Sequence, residues 1–212
     1  MSEPVEPPFS REDVEILERT GVFQGFFRLD RLRLRHRLYE GGWSPELTRE
    51  LFVRNPAVAV LPWDPDRDEV LLVEQFRVGA LDQRANPWCL ELIAGIADRE
   101  DEAPEALARR EAREEAGLEL DGLRALPSYL ASPGGSNERL SLFLAVTRLG
   151  EAGGIHGHPD EGEDIRVVRL PVRQLQPLVD QGVLDNAPAL IAVQWLLLHY
   201  EKLKTEYCRG GE

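Results

Sequence analysis

Hydrophobic and basic side chains alternate along residues 26–39, close to the start of the chain. The even-numbered positions hold Leu32, Leu34, His36 and Leu38, and the odd-numbered positions hold Arg31, Arg33, Arg35 and Arg37. A period of two is typical of a β-strand that buries one face. The arginines then form its outer face, either as a solvated surface or as a site for phosphate or a partner protein.

Later apolar segments predict a sheet and two helices. The further predicted strands cover residues 57–61, 69–74, 88–94, 140–147 and 165–170. The first two flank a turn-rich hexapeptide, which predicts an antiparallel hairpin, and the third is predicted to end at Gly95. Helical spacing predicts helices over residues 105–116, with Gly117 as the capping glycine, and over residues 187–200. The acidic, glycine-rich segment 153–164 has no periodicity and is expected to be a loop.

The Asn55-Pro56 pair interrupts this pattern, because a proline restricts the residue before it to extended backbone. We therefore expect an N-terminal antiparallel β-subdomain over residues 1–52 and a larger domain over residues 53–212. A chain of 212 residues is long enough to bury a substantial core in such a domain.

Composition places the chain among ordinary globular proteins, with 42% hydrophobic and 30% charged residues. No apolar run approaches the roughly 20 residues that cross a bilayer, and the acidic, proline-rich N-terminus is unlike a signal peptide. We therefore expect a cytoplasmic protein that does not enter membranes. The net charge of −13 argues against a nucleic acid partner, whose phosphates the chain would repel. A small phosphorylated substrate stays compatible, since divalent cations held by carboxylates cancel charge locally.

The predicted helix over residues 105–116 separates its side chains into arcs. Three carboxylates share one arc of about 100°, and they are Glu111, Glu114 and Glu115. Small side chains on another arc let the helix lie close to a sheet, and they are Ala108, Ala112 and Ala116. Carboxylates at these spacings repel one another, and a divalent cation would offset the repulsion. The alternative is a solvated helix with ion pairs such as Arg110 with Glu114.

The stretch around this helix closely resembles the Nudix box. That motif is a glycine, a glutamate and then Arg-Glu-x-x-Glu-Glu-x-Gly, and residues 110–117 read Arg-Glu-Ala-Arg-Glu-Glu-Ala-Gly. The family has five residues between the glycine and the first glutamate, whereas six separate Gly95 from Glu102. Asp101 restores the first spacing but adds one residue afterwards. The insertion precedes the helix, so it bears on the role of Glu102 and not on the helix register.

Further stretches are similar to the bacterial ADP-ribose pyrophosphatase branch of this superfamily. They cover residues 25–27 with the basic strand, 74–77 and 132–138. Pro133, placed 16 residues after Gly117, matches the proline that marks ADP-ribose specificity in the superfamily. Residues 154–157 and 160–165 are similar to the loop that supplies the catalytic glutamate in that branch.

The resemblance implies a fold, a reaction and an assembly. The fold is α/β, a Nudix α/β/α sandwich with a mixed sheet, preceded by the small antiparallel β-subdomain. The reaction is Mg²⁺-dependent hydrolysis of the pyrophosphate of ADP-ribose to AMP and ribose 5-phosphate. The related enzymes are homodimers that exchange or pack their N-terminal strands, and we expect the same here.

Magnesium prefers hard oxygen ligands, and Glu111 and Glu115 on one helix face fit that role. The resemblance adds the backbone carbonyl of Ala94 and the carboxylate of Glu163 to the metal ligands. It also implies more than one Mg²⁺ ion, with Mn²⁺ as a substitute.

Attack by water needs a proton acceptor, and a carboxylate on a loop is suited to approach that water once substrate is bound. The resemblance points to Glu161 for this role, with Glu163 as the second choice. Glu114 is expected to support catalysis. The alternative for Glu161 is that it is an ordinary solvated acid in an acidic loop, with no catalytic role.

The substrate contacts follow from the resemblance as well. Arg77 is expected to pair with phosphate, Phe26 to stack on adenine, and Arg49 to reach the adenine from the same or a neighbouring subunit. Ser132 and Glu138 are candidates for ribose or phosphate contacts. The alternatives for Phe26 and Arg49 are a core aromatic and a surface arginine.

Two other functions remain open at the level of sequence. One is hydrolysis of a different nucleoside diphosphate sugar such as GDP-mannose, because one pyrophosphate-cleaving helix serves many leaving groups. The other is a sensor that binds ADP-ribose without cleaving it. Such a sensor is expected to lose a metal carboxylate, yet the acidic residues of the motif are all present.

Overall fold

The computed structural model describes residues 7–99, 101–158, 160 and 162–208. The chain forms two compact units, one of Met1–Asn55 with Leu130–Glu138 and the other of Pro56–Tyr129 with Arg139–Glu212. The Asn55-Pro56 interruption lies at the boundary between the units in sequence. The division into domains at residues 1–52 and 53–212 stays a prediction.

The first unit contains a three-stranded antiparallel sheet in the order β1-β2-β3. Its strands are β1 (Val14–Gln24), β2 (Arg28–His36) and β3 (Leu47–Val53). The alternating segment is β2, in which Leu32 is buried. The predicted N-terminal antiparallel sheet is therefore confirmed.

The basic face of β2 is compensated by acidic residues on its own sheet and on the adjoining loop. Arg33 pairs with Glu18 at 2.9 Å and with Glu46 at 2.5 Å, and Arg35 pairs with Glu15 at 2.6 Å. These side chains are about half exposed, so each pair contributes roughly 1 kcal/mol or less. This pairing favours the solvated surface over a phosphate site on this strand.

The second unit contains a mixed sheet in the order β11-β12-β5-β4-β10-β8, with β6 beside β5 and β7 beside β4. The strands of this part of the chain are β4 (Ala57–Asp64), β5 (Glu69–Phe76), β6 (Trp88–Glu91), β7 (Ile93–Ile96), β8 (Gly122–Ala125), β9 (Tyr129–Leu130), β10 (Arg139–Val146), β11 (Ile155–His156) and β12 (Ile165–Pro171). Strands β4 and β10 are parallel, and the predicted hairpin of β4 and β5 is antiparallel. The helices are α1 (Pro104–Ala116), α2 (Leu175–Asp180) and α3 (Ala187–Tyr207).

Successive residues of the central strands enter two different cores, one on each face of the sheet. Leu71 and Val73 of β5 pack with α1, whereas Val70 and Leu72 pack with α2 and α3. The period of two that a strand imposes thus sorts apolar side chains between two helical layers. The predicted α/β/α sandwich with a mixed sheet is confirmed.

Two predicted boundaries are wrong. The segment 88–94 forms two strands that are interrupted at Leu92, because β6 pairs with β5 whereas β7 pairs with β4. Gly95 does not end a strand but lies within β7, opposite Val58. Helix α3 continues past residue 200 to Tyr207, since Leu203 is buried in the core and keeps the last turns packed.

None of the helices in the described ranges combines the length and the apolar character that a bilayer-spanning helix needs. The location of the protein in the cytoplasm stays a prediction.

Candidate active site

Helix α1 is defined at both ends by local sequence. Pro104 begins it, at a position where a missing amide hydrogen costs nothing. Gly117 ends it in the left-handed conformation, with φ of 59°. The amides of Gly117 and Leu118 donate to the carbonyls of Arg113 and Ala112, at 3.0 and 2.9 Å. The register of the helix is therefore fixed at its C-terminus.

The alanine arc of α1 faces the sheet, as the helical wheel predicts. Ala108, Ala112 and Ala116 are buried, and Ala108 and Ala112 are inaccessible to solvent. Small side chains allow a close approach of helix and sheet. This approach brings the neighbouring glutamates of α1 against β7.

Glu115 is tied to β7 by a hydrogen bond. The backbone amide of Ala94 donates to its carboxylate at 3.1 Å, and Glu115 is only 5% exposed. Burial raises the pKa of Glu115 to about 8, although the amide of Ala94 and the charge of Arg77 act in the opposite direction. The structure therefore brings the predicted ligands Ala94 and Glu115 together.

Glu111 lies against the neighbouring residue, Gly95. A Cβ atom at position 95 would overlap the Glu111 carboxylate, so only glycine fits there. Burial raises the pKa of Glu111 to about 7, the charge of Arg110 lowers it, and the charges of Glu114 and Glu163 raise it further. A carboxylate with this pKa is poorly stabilised as an anion by the protein alone.

Arg110 compensates several of these carboxylates at once. Its guanidinium contacts Glu114 at 2.8 Å, Glu111 at 2.9 Å and Glu102 at 3.1 Å. The ion pair of Arg110 with Glu114, foreseen as the alternative to a metal site, is thus present. It coexists with the buried Glu115 and the partly buried Glu111 of the same helix.

The loop before the helix accommodates its extra residue through the backbone conformation of Asp101. Asp101 has a φ of 61°, a left-handed conformation that aspartate tolerates better than most residues. Glu102 then reaches Arg110 with both carboxylate oxygens, each at 3.1 Å. Hydrogen bonds from Arg110 hold the pKa of Glu102 below its usual range. Glu102 is therefore a partner of Arg110 despite the insertion.

The acidic loop contributes Glu163 to this region. Its negative charge raises the pKa of both Glu111 and Glu115, and its carboxylate accepts a hydrogen bond of 3.3 Å from the amide of His158. Gly157, with φ of 103°, lies where a Cβ would collide with the backbone of Glu163. Glu161 lies outside the described residues.

Within the ranges that the structure describes, no group of three or more His, Cys, Asp or Glu side chains is arranged to hold a metal ion. Arg110 neutralises part of the cluster through its contacts with Glu102, Glu111 and Glu114. The donor chemistry nevertheless fits a hard divalent cation. Glu111 and Glu115 are carboxylates whose pKa values are raised by burial, so a cation beside them would favour their ionised forms.

Arg77 follows β5 directly and is 47% exposed. Its positive charge lowers the pKa of Glu115, so its guanidinium lies within electrostatic reach of the buried carboxylate. Arg77 forms an ion pair of 2.9 Å with Glu91. Sequence reasoning singled out Arg77 but missed Glu91, whose role depends on strand register.

The remaining predicted residues belong to the first unit. Phe26 is 88% exposed and contacts Phe27 edge to face, which rules out a core aromatic. Arg49 lies on β3, is exposed, and donates to the carbonyl of Thr48 at 2.8 Å. Exposure leaves both side chains available to a ligand.

Glu138 and Ser132 lie at the two ends of one turn. The carbonyl of Ser132 accepts hydrogen bonds from the amides of Gly135 and Ser136, at 3.1 and 2.9 Å. Glu138 pairs with Arg54 at 3.0 Å. Arg54 was not foreseen, because nothing in its local sequence distinguishes it from other arginines.

Comparison with known proteins identifies the family. A family model described as the NUDIX domain matches residues 53–192. The chain is 48% identical to the ADP-ribose pyrophosphatase of Escherichia coli (strain K12) over 199 residues, which cover 94% of this chain and 95% of that protein. It is 32% identical to the GDP-mannose pyrophosphatase of Cronobacter sakazakii over 155 residues, which cover 71% and 78%.

A solved structure shares the fold. The crystal structure of an ADP compounds hydrolase superposes with a TM-score of 0.65 at 20% sequence identity, covering 89% of this chain and 96% of that one. At this sequence identity the match shows a shared fold and nothing about function.

Proposed function

Since this chain belongs to the NUDIX domain family, we propose that it hydrolyses the pyrophosphate of ADP-ribose and releases AMP and ribose 5-phosphate. The observation that carries the proposal is a pair of glutamates of α1 that lie against β7, Glu115 buried and Glu111 partly buried. Glu115 accepts a hydrogen bond from Ala94, and the Glu111 carboxylate occupies the space that a side chain at Gly95 would fill. Sequence similarity to ADP-ribose pyrophosphatase over 94% of the chain supports the choice of substrate.

The ligands that we assign to divalent cations are Glu111, Glu115, Glu163 and the carbonyl of Ala94. All are hard oxygen donors, which suits Mg²⁺, with Mn²⁺ as a substitute and more than one ion in the site. Bound cations would neutralise the diphosphate and lower the pKa of a water molecule. The raised pKa values of Glu111 and Glu115 support this assignment, because a nearby cation would stabilise both anions.

Proton transfer is the role that we assign to the acidic loop. Glu161 is the proposed acceptor of the proton from the attacking water, and Glu163 is the alternative. Glu114 supports the reaction through Arg110, which it contacts at 2.8 Å. Arg77 pairs with a phosphate oxygen of the substrate.

Recognition of the rest of the substrate is assigned to the exposed residues of the first unit. Phe26 stacks on the adenine ring, because its exposed face is available for such a contact. Arg49 reaches the adenine, and Ser132 and Glu138 contact ribose or phosphate. We further propose a homodimer, for which sedimentation would give twice the 23.9 kDa of one chain.

The test is a product assay. Purified protein with Mg²⁺ and ADP-ribose in oxygen-18 water is expected to release equal amounts of AMP and ribose 5-phosphate, with the label in one product. A chelator should abolish the release, and Mn²⁺ should restore it. Absence of AMP with every divalent cation would exclude the proposed reaction.

The second candidate is hydrolysis of another nucleotide sugar, which the similarity to a GDP-mannose pyrophosphatase favours at a lower identity of 32%. Parallel assays with GDP-mannose and ADP-ribose compare kcat/KM directly. We expect a preference for ADP-ribose of at least tenfold, which corresponds to about 1.4 kcal/mol of transition-state binding. A sensor would bind ADP-ribose and release no product.

A further inference from the structure

Strand β5 directs alternate side chains towards α1, and this face changes from apolar to polar along the strand. Leu71 and Val73 pack in the core beneath α1. Gln75 follows at the same parity, and Arg77 comes two residues later, directly after the strand. The α1 face of β5 therefore ends in an amide and a guanidinium.

Glu91 of β6 meets these two groups across the strand pair. It lies opposite Val73 in the register of β5 and β6, which places it on the same face. One of its carboxylate oxygens accepts from Nε of Arg77 at 2.9 Å and from Nε2 of Gln75 at 3.4 Å. A terminal nitrogen of Arg77 contacts the same oxygen at 2.9 Å. Two nitrogens of one guanidinium are thus fixed by a single acceptor.

Exposure distinguishes the two partners. The Glu91 side chain is 15% exposed, whereas that of Arg77 is 47% exposed. The carboxylate is therefore largely covered, while about half of the Arg77 side chain is exposed, within electrostatic reach of Glu115, one of the two glutamates of α1 proposed to hold the cation. A phosphate bound at those glutamates would meet an arginine that is already oriented, and less side-chain entropy would be lost on binding.

We propose that Glu91 is a positioning residue, which fixes Arg77 so that its remaining N–H groups bind a phosphate oxygen of the substrate. This inference rests on the proposed hydrolysis of ADP-ribose. Glu91 itself is not proposed to touch the substrate. Its effect should therefore pass entirely through Arg77.

A double-mutant cycle tests this role. Glu91→Gln keeps the size of the side chain and removes its charge, and it should lower kcat/KM for ADP-ribose about tenfold, mainly through KM. Arg77→Ala should lower kcat/KM about a hundredfold. The double variant should match Arg77→Ala to within about twofold, because Glu91 has nothing left to orient. Glu69→Gln is the matched control, since Glu69 pairs with Arg169 at 2.6 Å at the opposite end of β5.

The outcomes separate the possible failures. Losses that multiply to about a thousandfold in the double variant, or a Glu91→Gln variant as active as Glu69→Gln, would overturn the positioning role. Melting temperatures of all four variants show whether a loss reflects unfolding, and the cycle is evaluated per folded molecule. Wild-type protein that releases no AMP would overturn the proposed function itself, and with it this role of Glu91.

Discussion

Glu115, whose carboxylate is buried, is the residue on which the proposed metal site depends most. It is held by the amide of Ala94 and is nearly inaccessible to solvent, although carboxylates are seldom buried without a charged partner. A protein retains such a group when the group has a ligand or a chemical task. A substitution that removes the charge of Glu115 but keeps its hydrogen bond should therefore impair activity without unfolding the protein.

Replacing Glu115 by Gln tests whether its role in activity is distinct from its role in the fold. The amide oxygen of Gln still accepts the bond from Ala94, so the fold should persist, while the loss of an anionic ligand should lower kcat about a thousandfold. Steady-state kinetics with ADP-ribose and Mg²⁺ measure the effect. Glu105→Gln removes the same charge from an exposed position in the first turn of α1 and should leave kcat within about twofold. Equal losses in both variants would argue against a specific role of Glu115.

The raised pKa values of Glu111 and Glu115 predict how the metal-free protein responds to pH. Both glutamates bind protons more tightly in the folded chain, with pKa values of about 7 and about 8 against 4.5 for the free side chain. Their contribution to stability is complete below pH 4.5 and is lost as the pH rises through 7 and 8. In a chelator, the melting temperature should fall by roughly 5 °C between pH 5.5 and pH 8.5.

Two controls accompany this measurement. Mg²⁺ at pH 8.5 should recover much of the lost melting temperature, because a cation stabilises the ionised pair. Glu115→Gln should show a smaller decrease, since one of the two titrating groups is gone. A melting temperature that rises over this pH range would show that the glutamates are ionised without a cation.

At the scale of elements, the site depends on the close approach of α1 to β7. Gly95 shares its parity with Ile93, which packs beneath α1, so residue 95 faces the helix. A methyl group there would displace the Glu111 carboxylate, and Gly95→Ala should lower kcat about a hundredfold and reduce stability. Gly122→Ala on β8 is the control, because its new Cβ would meet only an ordinary contact of 3.5 Å. Full activity of Gly95→Ala would contradict the packing described for α1.

The loop before α1 offers a second test at this scale. Asp101 and Asp68 both have positive φ values, 61° and 57°. Asp101→Gly relieves the backbone strain and should raise the free energy of unfolding by roughly 0.5–1 kcal/mol. Asp68→Gly also removes the acceptor of a 2.6 Å hydrogen bond from Tyr200, so it should destabilise by about 1 kcal/mol or more. Urea denaturation measures both, and destabilisation by Asp101→Gly would show that its side chain has a structural partner.

Element prediction from sequence succeeded where one periodicity persists. Helix α1 and strand β2 carry a continuous pattern, and both were found. Strand β1 was missed, because bulges at Ile16/Glu18 and Gly21/Phe23 shift its parity and most of its side chains are exposed. The break at Leu92 was missed for a different reason. It arises from a change of neighbouring strand, which no local pattern encodes.

At the scale of the whole molecule, the candidate metal ligands are easier to predict from sequence than the contacts that support them. Glu111, Glu115 and Gly95 are candidates from their spacing alone, because a helix and a motif place them without reference to the rest of the fold. Glu91 and Arg54 were not identified, since their partners lie 14 and 84 residues away. Contacts of that kind follow from strand register and turn geometry, which appear only once the sheet is assembled.

We propose above all that Glu111 and Glu115 of α1 hold a divalent cation against a diphosphate. Anomalous diffraction from crystals soaked in Mn²⁺ tests it most directly. We expect an anomalous peak within coordination distance of carboxylate oxygens of both Glu111 and Glu115, about 2.0–2.3 Å. A peak bound elsewhere in active crystals, with both carboxylates free of metal, would contradict it.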